Sequence, residues 1–241
     1  PPALSKPGDL ERAADDSWVG AQGLMRAFIG NVKEADGKVT SSLFVVDVPA
    51  NVDITTADSG TKTRYMTPPA GTRIRRLTNT TAAGIVRGSL DGTRVGYYAT
   101  APDGSRQVFI ISSQGSDQSA DPQMRPVQVS RLPGGATGGL RWHPSGNSIA
   151  VIGDNGVATI CVKPGSDFGK MRWLTQHGAG VPAADALVWS RDGSRLAFNR
   201  RVPTYDASGN LVKDAGGQDF RQIFLVDFPD ADGDGVAEGL Q

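Results

Sequence analysis

An acidic loop near the end of the 241-residue sequence has the residue types and spacing of a calcium-binding loop. Carboxylates stand at alternate positions, Asp230, Asp232 and Asp234, and Glu238 follows at the ninth position of the loop. Calcium takes about six to eight oxygen ligands, and alternating acids on a glycine-turned loop converge on one point. The twelfth position is Gln241 instead of a bidentate glutamate. The sequence therefore predicts either a structural calcium site or an acidic, solvated turn.

Two histidines and one cysteine are the remaining candidates for ligand or acid–base chemistry. His177 lies in a loop between two repeat units, so it is either a ligand-binding residue or an exposed loop residue. His143 takes the position that Ser190 has in another repeat, which predicts a turn residue that caps backbone groups. Cys161 lies in an apolar alternating segment and is predicted to be a small buried hydrophobe. No catalytic constellation is predicted from these residues.

Tryptophans and basic residues offer further contacts for a ligand. Trp142 and Trp189 precede the same turn in two repeats, so we expect them to be core wedges, whereas Trp18 is the better candidate for an exposed contact. A basic group could face an acidic sugar or a carboxylate-bearing partner, although an ordinary charged surface is the simpler interpretation. Its members are Lys170, Arg172, Arg200 and Arg201.

These candidate residues lie in a sequence that is built from repeated turn-and-strand segments. Three segments share one phrase, a tight turn closed by glycine and followed by an alternating strand: Ser89–Tyr97, His143–Val151 and Ser190–Phe198. A second phrase recurs between them as Arg75–Thr78, Ser130–Leu132 and Arg172–Thr175. Four short strands in each unit of about 40–55 residues are typical of a β-propeller blade. A β-sandwich would also give short strands, but not two phrases repeated in one order.

The predicted fold class is therefore all-β, a propeller of four-stranded antiparallel blades. About four blades are visible, at approximately 23–78, 79–132, 136–175 and 184–241. Residues 1–22 form an N-terminal segment with a possible short helix from Asp9 to Asp16. The alternatives are an unusual four-bladed ring and part of a longer chain. Because the sequence does not start with Met and the last unit lacks its outermost strand, we expect part of a six- to eight-bladed ring. Three polar insertions should lie at blade ends, at 50–69, 114–125 and 201–218.

Composition excludes several classes of function. Lys and Arg total 25, and Asp and Glu also total 25, so no net positive charge is available to attract nucleic acid. No apolar run approaches the roughly 18 residues of a membrane helix. The 31 glycines and 15 prolines suit many short turns, and a single cysteine excludes an internal disulfide.

The turn-and-strand phrase resembles the blade repeat of TolB-like propellers. A closer resemblance is to an uncharacterised bacterial propeller family related to oligogalacturonate lyases. It is carried by Pro7-Gly8-Asp9 with Trp18-Val19-Gly20, Phe44–Pro49, Pro68–Gly71 with Arg75–Thr78, and Leu140–Pro144. The lyase relatives hold a divalent metal among histidines at the propeller centre and cleave acidic sugars by β-elimination. Here only His143 and His177 are present, and the histidine-rich segment of the uncharacterised family lies upstream of the matched region.

These observations favour a non-catalytic propeller that acts as a protein-interaction or assembly subunit. The alternatives are a metal-dependent lyase-like enzyme with most of its active site outside this chain, and an acidic-carbohydrate-binding module. The expected partner is a protein or larger assembly, and for the alternatives it is an acidic oligosaccharide. Neither nucleic acid nor a membrane span is expected. Structural calcium is the one cofactor considered. The TolB-like resemblance implies the periplasm or cell envelope.

Overall fold

Seventeen β-strands and two short 3-10 turns form the regular structure in the computed structural model, which describes residues 6–64, 66–79 and 82–228. The strands make four antiparallel sheets, here named A to D in chain order, and one separate two-stranded hairpin. The 3-10 turns cover Ile54–Thr56 and Pro122–Met124. Within the described ranges, no helix has the length and apolar character needed to cross a bilayer. The all-β propeller prediction is confirmed.

Sheets A and B lie in the first of two units into which the chain divides, residues 1–128. Each sheet has its strands in sequence order. Sheet A contains β1 (Leu10–Val19), β2 (Met25–Lys33), β3 (Val39–Asp47) and β4 (Arg73–Arg76). Sheet B contains β5 (Ala82–Gly88), β6 (Arg94–Thr100), β7 (Arg106–Ser112) and β8 (Val127–Gln128).

The helix expected between Asp9 and Asp16 is wrong, because this segment forms most of β1. β1 pairs with β2 from Leu10 opposite Val32 to Val19 opposite Met25. The helix propensity of a short Glu-Arg-Ala-Ala run amounts to only tenths of a kcal/mol per residue, about 0.7 at most. Pairing with β2 and burial of Val19 outweigh it. The first strand of sheet A therefore lies inside the segment 1–22.

Sheets C and D lie in the second unit, residues 129–241. Sheet C contains β9 (Ala136–Trp142), β10 (Ser148–Gly153), β11 (Gly156–Cys161) and β12 (Met171–Trp173). Sheet D contains β13 (Ala184–Trp189), β14 (Arg195–Val202) and β17 (Phe220–Asp227). The hairpin formed by β15 (Thr204–Tyr205) and β16 (Leu211–Val212) lies in the insertion 201–218.

Each unit has its own apolar core between its two sheets. In the first unit, residues of β2 and β3 pack with residues of β5 to β7, among them Ala27, Ile29, Leu43, Val45, Val86, Val95 and Tyr97. In the second unit, sheet C contributes Ala150, Ile152 and Val157, which pack against Leu187, Leu196 and Phe198 of sheet D. The alternation of the strands produces these faces, because successive side chains point to opposite sides of a sheet.

The shared phrase forms the turn from the first to the second strand in sheets B, C and D. Its glycines, Gly92, Gly146 and Gly193, have φ values of +79°, +76° and +77°. A glycine adopts this left-handed conformation without a steric penalty. In two copies a serine hydroxyl donates a hydrogen bond to an aspartate two residues later, Ser89 to Asp91 and Ser190 to Asp192, both at 2.6 Å. The predicted turns are confirmed.

The first strand of every sheet also contains a left-handed residue that the sequence did not predict. In each case it lies at or beside a shift in the pairing register with the second strand. A β-bulge of this kind bends the strand and changes the direction of the following side chains. The four residues are Asp15, Gly84, Gly139 and Ala186.

Candidate functional site

His177 lies at one end of sheet C, where the chain leaves β12. Its ring stacks on Trp173, with ring centroids 4.0 Å apart and an interplanar angle of 17°. Its Nδ1 lies 2.9 Å from Oδ2 of Asp154, in the turn between β10 and β11. This carboxylate favours the tautomer that carries a proton on Nδ1, which leaves Nε2 as the acid–base atom. The side chain is 38% exposed, so the imidazole is accessible.

The loop that carries His177 is fixed by Arg200 of β14. The Arg200 Nη2 donates to the carbonyl oxygen of Asn155 at 3.0 Å, the hydroxyl of Thr175 at 3.0 Å and the carbonyl oxygen of Gln176 at 2.7 Å. Burial lowers the pKa of the Arg200 guanidinium. The arginine is therefore a structural clamp, and it is not directed at an acidic ligand.

Two other members of the predicted basic group, Arg201 and Lys170, make local ion pairs. Arg201 forms an ion pair with Asp214 at 2.7 Å, and Lys170 pairs with Asp167 at 2.5 Å. Lys170 and Asp167 lie three residues apart in one loop, whereas Arg201 of β14 contacts the insertion that follows this strand. Surface pairs of this kind contribute about 0–1 kcal/mol each. The structure thus favours an ordinary charged surface here.

His143 is buried in the turn between β9 and β10. Its Nδ1 lies 2.7 Å from the Ser145 hydroxyl, and its Nε2 lies 3.2 Å from the carbonyl oxygen of Gly193. The edge of the ring contacts Trp189, with centroids 4.8 Å apart. Burial lowers the pKa of His143, although the Gly193 carbonyl opposes this effect. His143 therefore links two turns as a neutral side chain, in agreement with the turn role predicted for it.

The tryptophans divide as the repeats predicted. Trp142 is buried, and half-buried Trp189 packs against His143 and Phe228. Trp18 is 51% exposed, and the guanidinium of Arg26 lies 4.8 Å from its ring centroid. Cys161 is a free, half-buried cysteine at the end of β11.

The predicted calcium ligands Asp230, Asp232, Asp234 and Glu238 lie outside the described residues. Among the residues that are described, no three His, Cys, Asp or Glu side chains come together as metal ligands. The pair of His177 and Asp154 therefore supplies one acid–base group, and no third ligating residue joins it there.

One face of sheet D is apolar and exposed, which the sequence did not predict. Val188 of β13 pairs with Ala197 of β14, and Ala197 pairs with Leu225 of β17. Ile223 lies two residues before Leu225 and therefore on the same face. Val188, Leu225 and Ile223 are 57%, 60% and 79% exposed.

Ion pairs border this apolar face at both ends. At one end Arg221 of β17 pairs with Asp185 of β13, and at the other Arg195 pairs with Asp227 at 3.0 Å. An apolar centre within a charged border is the usual composition of a protein–protein interface. We name Val188, Ala197, Ile223 and Leu225 the sheet D face.

Repeated four-stranded antiparallel sheets with shared turns define this chain as a β-propeller protein. No family model matches the chain. It is 32% identical over 205 residues to the uncharacterized protein YidR of Escherichia coli (strain K12). The match covers 79% of this chain and 46% of YidR, so the chain spans about half the length of this relative.

Solved structures with similar folds include other propellers. The β-propeller domain of the trilobed protease from Pyrococcus furiosus matches with a TM-score of 0.53 and 11% identity over 91% of this chain and 55% of that one. TolB from Acinetobacter baumannii has a TM-score of 0.48 and 12% identity, with 83% and 43% of the two chains covered. At such low identity the likeness to the protease domain shows the fold alone.

Proposed function

We propose that this chain is a non-catalytic assembly subunit, in which the sheet D face docks against a further β-sheet of the same propeller assembly. The observation that carries the proposal is the exposure of Val188, Ile223 and Leu225 on one face of a sheet whose other face is core. Full burial of such a side chain contributes about 1.5–3 kcal/mol. Exposed apolar side chains grouped on one face therefore favour a covering partner.

The neighbouring sheet supports a β-sheet as the occupant. The shared phrase makes Ala150 and Ile152 of β10 equivalent to Ala197 and Asn199 of β14, since both pairs stand at the same distance from the turn glycine. Val157 pairs with Ile152 as Ile223 pairs with Asn199. In sheet C this face is buried against sheet D. The equivalent face of sheet D has the same arrangement of strands, so another β-sheet can pack against it in the same way.

Cysteine labelling tests whether the face is covered in the native protein. Ile223→Cys is compared with Ile54→Cys, a matched control because Ile54 is 63% exposed in a surface turn. Both are made with Cys161→Ala, which removes the native thiol. In the isolated chain both cysteines should react with a maleimide at similar rates. In the protein purified from its native source, Cys at 223 should react at least about tenfold more slowly, as for a thiol in a packed interface.

Equal labelling of both cysteines in the native protein would overturn the proposal. Where labelling is slow, a photoactivatable cross-linker at Leu225 identifies the covering segment. Cross-linking to a β-sheet of the assembly supports the proposal, and cross-linking to an unrelated fold contradicts it. The bacterial cell envelope is part of the proposal because the repeats resemble those of TolB-like proteins. Release by osmotic shock, together with a periplasmic marker protein, tests this location.

The pair of His177 and Asp154 favours a second candidate, the lyase-like enzyme. A carboxylate that orients an imidazole suits general acid–base catalysis, which typically contributes about 10²–10⁴-fold in rate. The native protein would then release unsaturated product from acidic oligosaccharides, detected by ultraviolet absorbance, and His177→Gln would lose this activity. Saturable binding of the same oligosaccharides without product would instead support the carbohydrate-binding alternative. Neither activity nor binding is expected from the assembly proposal.

Structural calcium in the loop from Asp230 to Glu238 remains a proposal supported by ligand spacing alone. A ligand that binds only the folded state raises its stability by mass action. Calcium should therefore raise the Tm of the chain relative to a chelator, and the paired substitution Asp232→Asn with Asp234→Asn should remove this difference. The same rise in the substituted protein would contradict the proposal.

A further inference from the structure

A cleft of about 730 Å³ lies within the first unit, beside the loop 114–126. Its volume falls within the range of about 300–1,000 Å³ that is usual for small-molecule sites. Polar and apolar side chains both line it. The residues that matter for its chemistry are Thr40, Asn79, Tyr97, Phe109, Asp117 and Arg125.

Tyr97 provides a phenolic hydroxyl at the cleft. The side chain is only 1% exposed, and its ring lies against Phe109 with centroids 6.0 Å apart. Among the residues that the structure describes, none is hydrogen-bonded to this hydroxyl. The Tyr97 hydroxyl is therefore available to a ligand that enters the cleft.

Burial raises the pKa of Tyr97, and the nearby negative charge of Asp117 raises it further. The phenol is thus neutral and can both donate and accept a hydrogen bond. This agrees with the geometry, in which Tyr97 and Asp117 line the same cleft.

Asp117 is held in place by the segment that follows β4. Its backbone N–H donates to the carbonyl oxygen of Leu77 at 2.9 Å, and its carboxylate accepts from the Asn79 side-chain amide at 2.9 Å. The Asn79 backbone N–H donates to the second carboxylate oxygen. The Gln118 side-chain amide also donates to the carboxylate, at 3.3 Å. A carboxylate has about four acceptor positions, so one remains for a ligand. The insertion is therefore fixed before any ligand binds.

Arg125 adds further donors to the lining of the cleft. Its Nε donates to the carbonyl oxygen of Ser119 at 2.5 Å, which orients the guanidinium. Arginine has five N–H donors in a planar fork, so its Nη atoms remain for a second acceptor. The charges of Arg125 and Asp117 cancel, and this argues against an ionic ligand. The apolar part of the lining comprises Ala99, Ala101, Pro102, Phe109 and Pro126.

We propose that this cleft binds a neutral saccharide unit. A sugar ring presents hydroxyls that both donate and accept, which matches Tyr97, Asn79, Asp117 and Arg125, and its C–H faces suit the apolar wall beside Phe109. A carboxylated sugar gains no net attraction, because the positive charge of Arg125 is offset by the negative charge of Asp117 in the same cleft. The site is separate from the sheet D face, and it does not depend on the assembly proposal.

Calorimetric titration of the complete protein with cellobiose and with maltose tests the proposal, and digalacturonate serves as the charged comparison. We expect saturable binding of at least one neutral disaccharide at millimolar concentrations and weaker binding of digalacturonate. Tyr97→Phe should weaken binding about 3- to 10-fold, as expected for the loss of one hydrogen bond. Asp117→Asn should weaken neutral binding and improve digalacturonate binding.

Tyr205→Phe is the matched control, because Tyr205 is 62% exposed and lies in the second unit. It should leave binding unchanged. Tyr97→Phe should not lower the Tm, since the hydroxyl has no partner among the described residues, so weaker binding cannot be attributed to unfolding. The proposal is overturned if neither neutral disaccharide binds, if digalacturonate binds more tightly, or if Tyr97→Phe and Asp117→Asn bind as the unchanged protein does.

Discussion

Sheets C and D come from the same repeated phrase, yet their equivalent faces have opposite environments. Ala150, Ile152 and Val157 of sheet C are buried, whereas Ile223 and Leu225 of sheet D are more than half exposed. Strand pairing and the first turn are alike in the two sheets. The repeat therefore encodes an apolar face in both sheets, whether or not another sheet covers that face. The same apolar pattern then stabilises the core in sheet C and provides a docking surface in sheet D.

The largest expected effect comes from removing equivalent apolar side chains from the two sheets. Ile152→Ala in sheet C should lower the free energy of unfolding by about 2–5 kcal/mol, because it leaves a cavity in the core. Ile223→Ala in the isolated chain should change it by about 0.5 kcal/mol or less, as for other exposed positions. Urea denaturation followed by tryptophan fluorescence measures both, since Trp142, Trp173 and Trp189 lie in the second unit.

The comparison would fail if both substitutions were equally destabilising in the isolated chain. The same substitution in the native protein gives a more specific test, because there the proposal predicts that Ile223 is buried in the assembly. There Ile223→Ala should lower stability by about 1 kcal/mol or more. An unchanged value in the native protein would contradict the assembly proposal.

A second comparison concerns the left-handed residues of β9 and β13, Gly139 and Ala186, which are equivalent in the repeat and have φ values of +55° and +49°. Non-glycine residues in this conformation cost roughly 1–2 kcal/mol. Ala186→Gly should therefore stabilise the chain by about 0.5–1 kcal/mol, after the greater entropy of glycine in the unfolded state is included.

The reciprocal substitution, Gly139→Ala, should destabilise the chain by about 1–2 kcal/mol or more. The new Cβ would lie 2.8 Å from Cγ of Leu187 and 3.0 Å from Cδ1 of Ile152, in addition to the strained φ. Thermal unfolding of both variants shows whether each substitution raises or lowers the Tm. The interpretation as a shared bulge is wrong if Ala186→Gly is destabilising.

Much of the fold could be predicted from the sequence because its signals are local. Glycine at the turn positions and alternation in the strands depend on residues within one phrase, so Gly92, Gly146 and Gly193 identified the turns. The segment from Asp9 to Asp16 misled for the same reason. Its local preference is helical, but its partner, β2, begins only after the next turn.

The candidate sites depend on contacts that no local pattern records. The sequence identified His177 as a candidate but not its partners. Trp173 stacks on the ring and Asp154 is hydrogen-bonded to it, although a β-strand and a turn separate these two residues in the sequence. Tyr97 reads as a core residue of β6, and only the fixed insertion from Gln114 to Arg125 turns its surroundings into a cleft. Ile223 and Leu225 read like any apolar strand residues. Their exposure depends on what lies beside sheet D.

The first turns of sheets C and D contain His143 and Ser190 at equivalent positions. We expect this difference to have a small effect on how the free energy of unfolding depends on pH. The pKa of His143 is lowered below its usual value of 6.5 by burial, so the folded state prefers the neutral ring. The unfolded chain then binds more protons as the pH falls through about 6.5, and the contribution of His143 to stability is lost toward acid. The free energy of unfolding should decrease between about pH 7.5 and pH 5.5.

His143→Ser places in sheet C the residue that sheet D already has. It should be less stable at neutral pH because contact with Trp189 is lost, but its stability should change less with pH. Both proteins are measured with His177→Gln, which removes the other histidine of the chain. Urea denaturation at the two pH values gives the slopes. If the slopes are equal, the acid sensitivity belongs to other groups, and the turns of the two sheets differ only in packing.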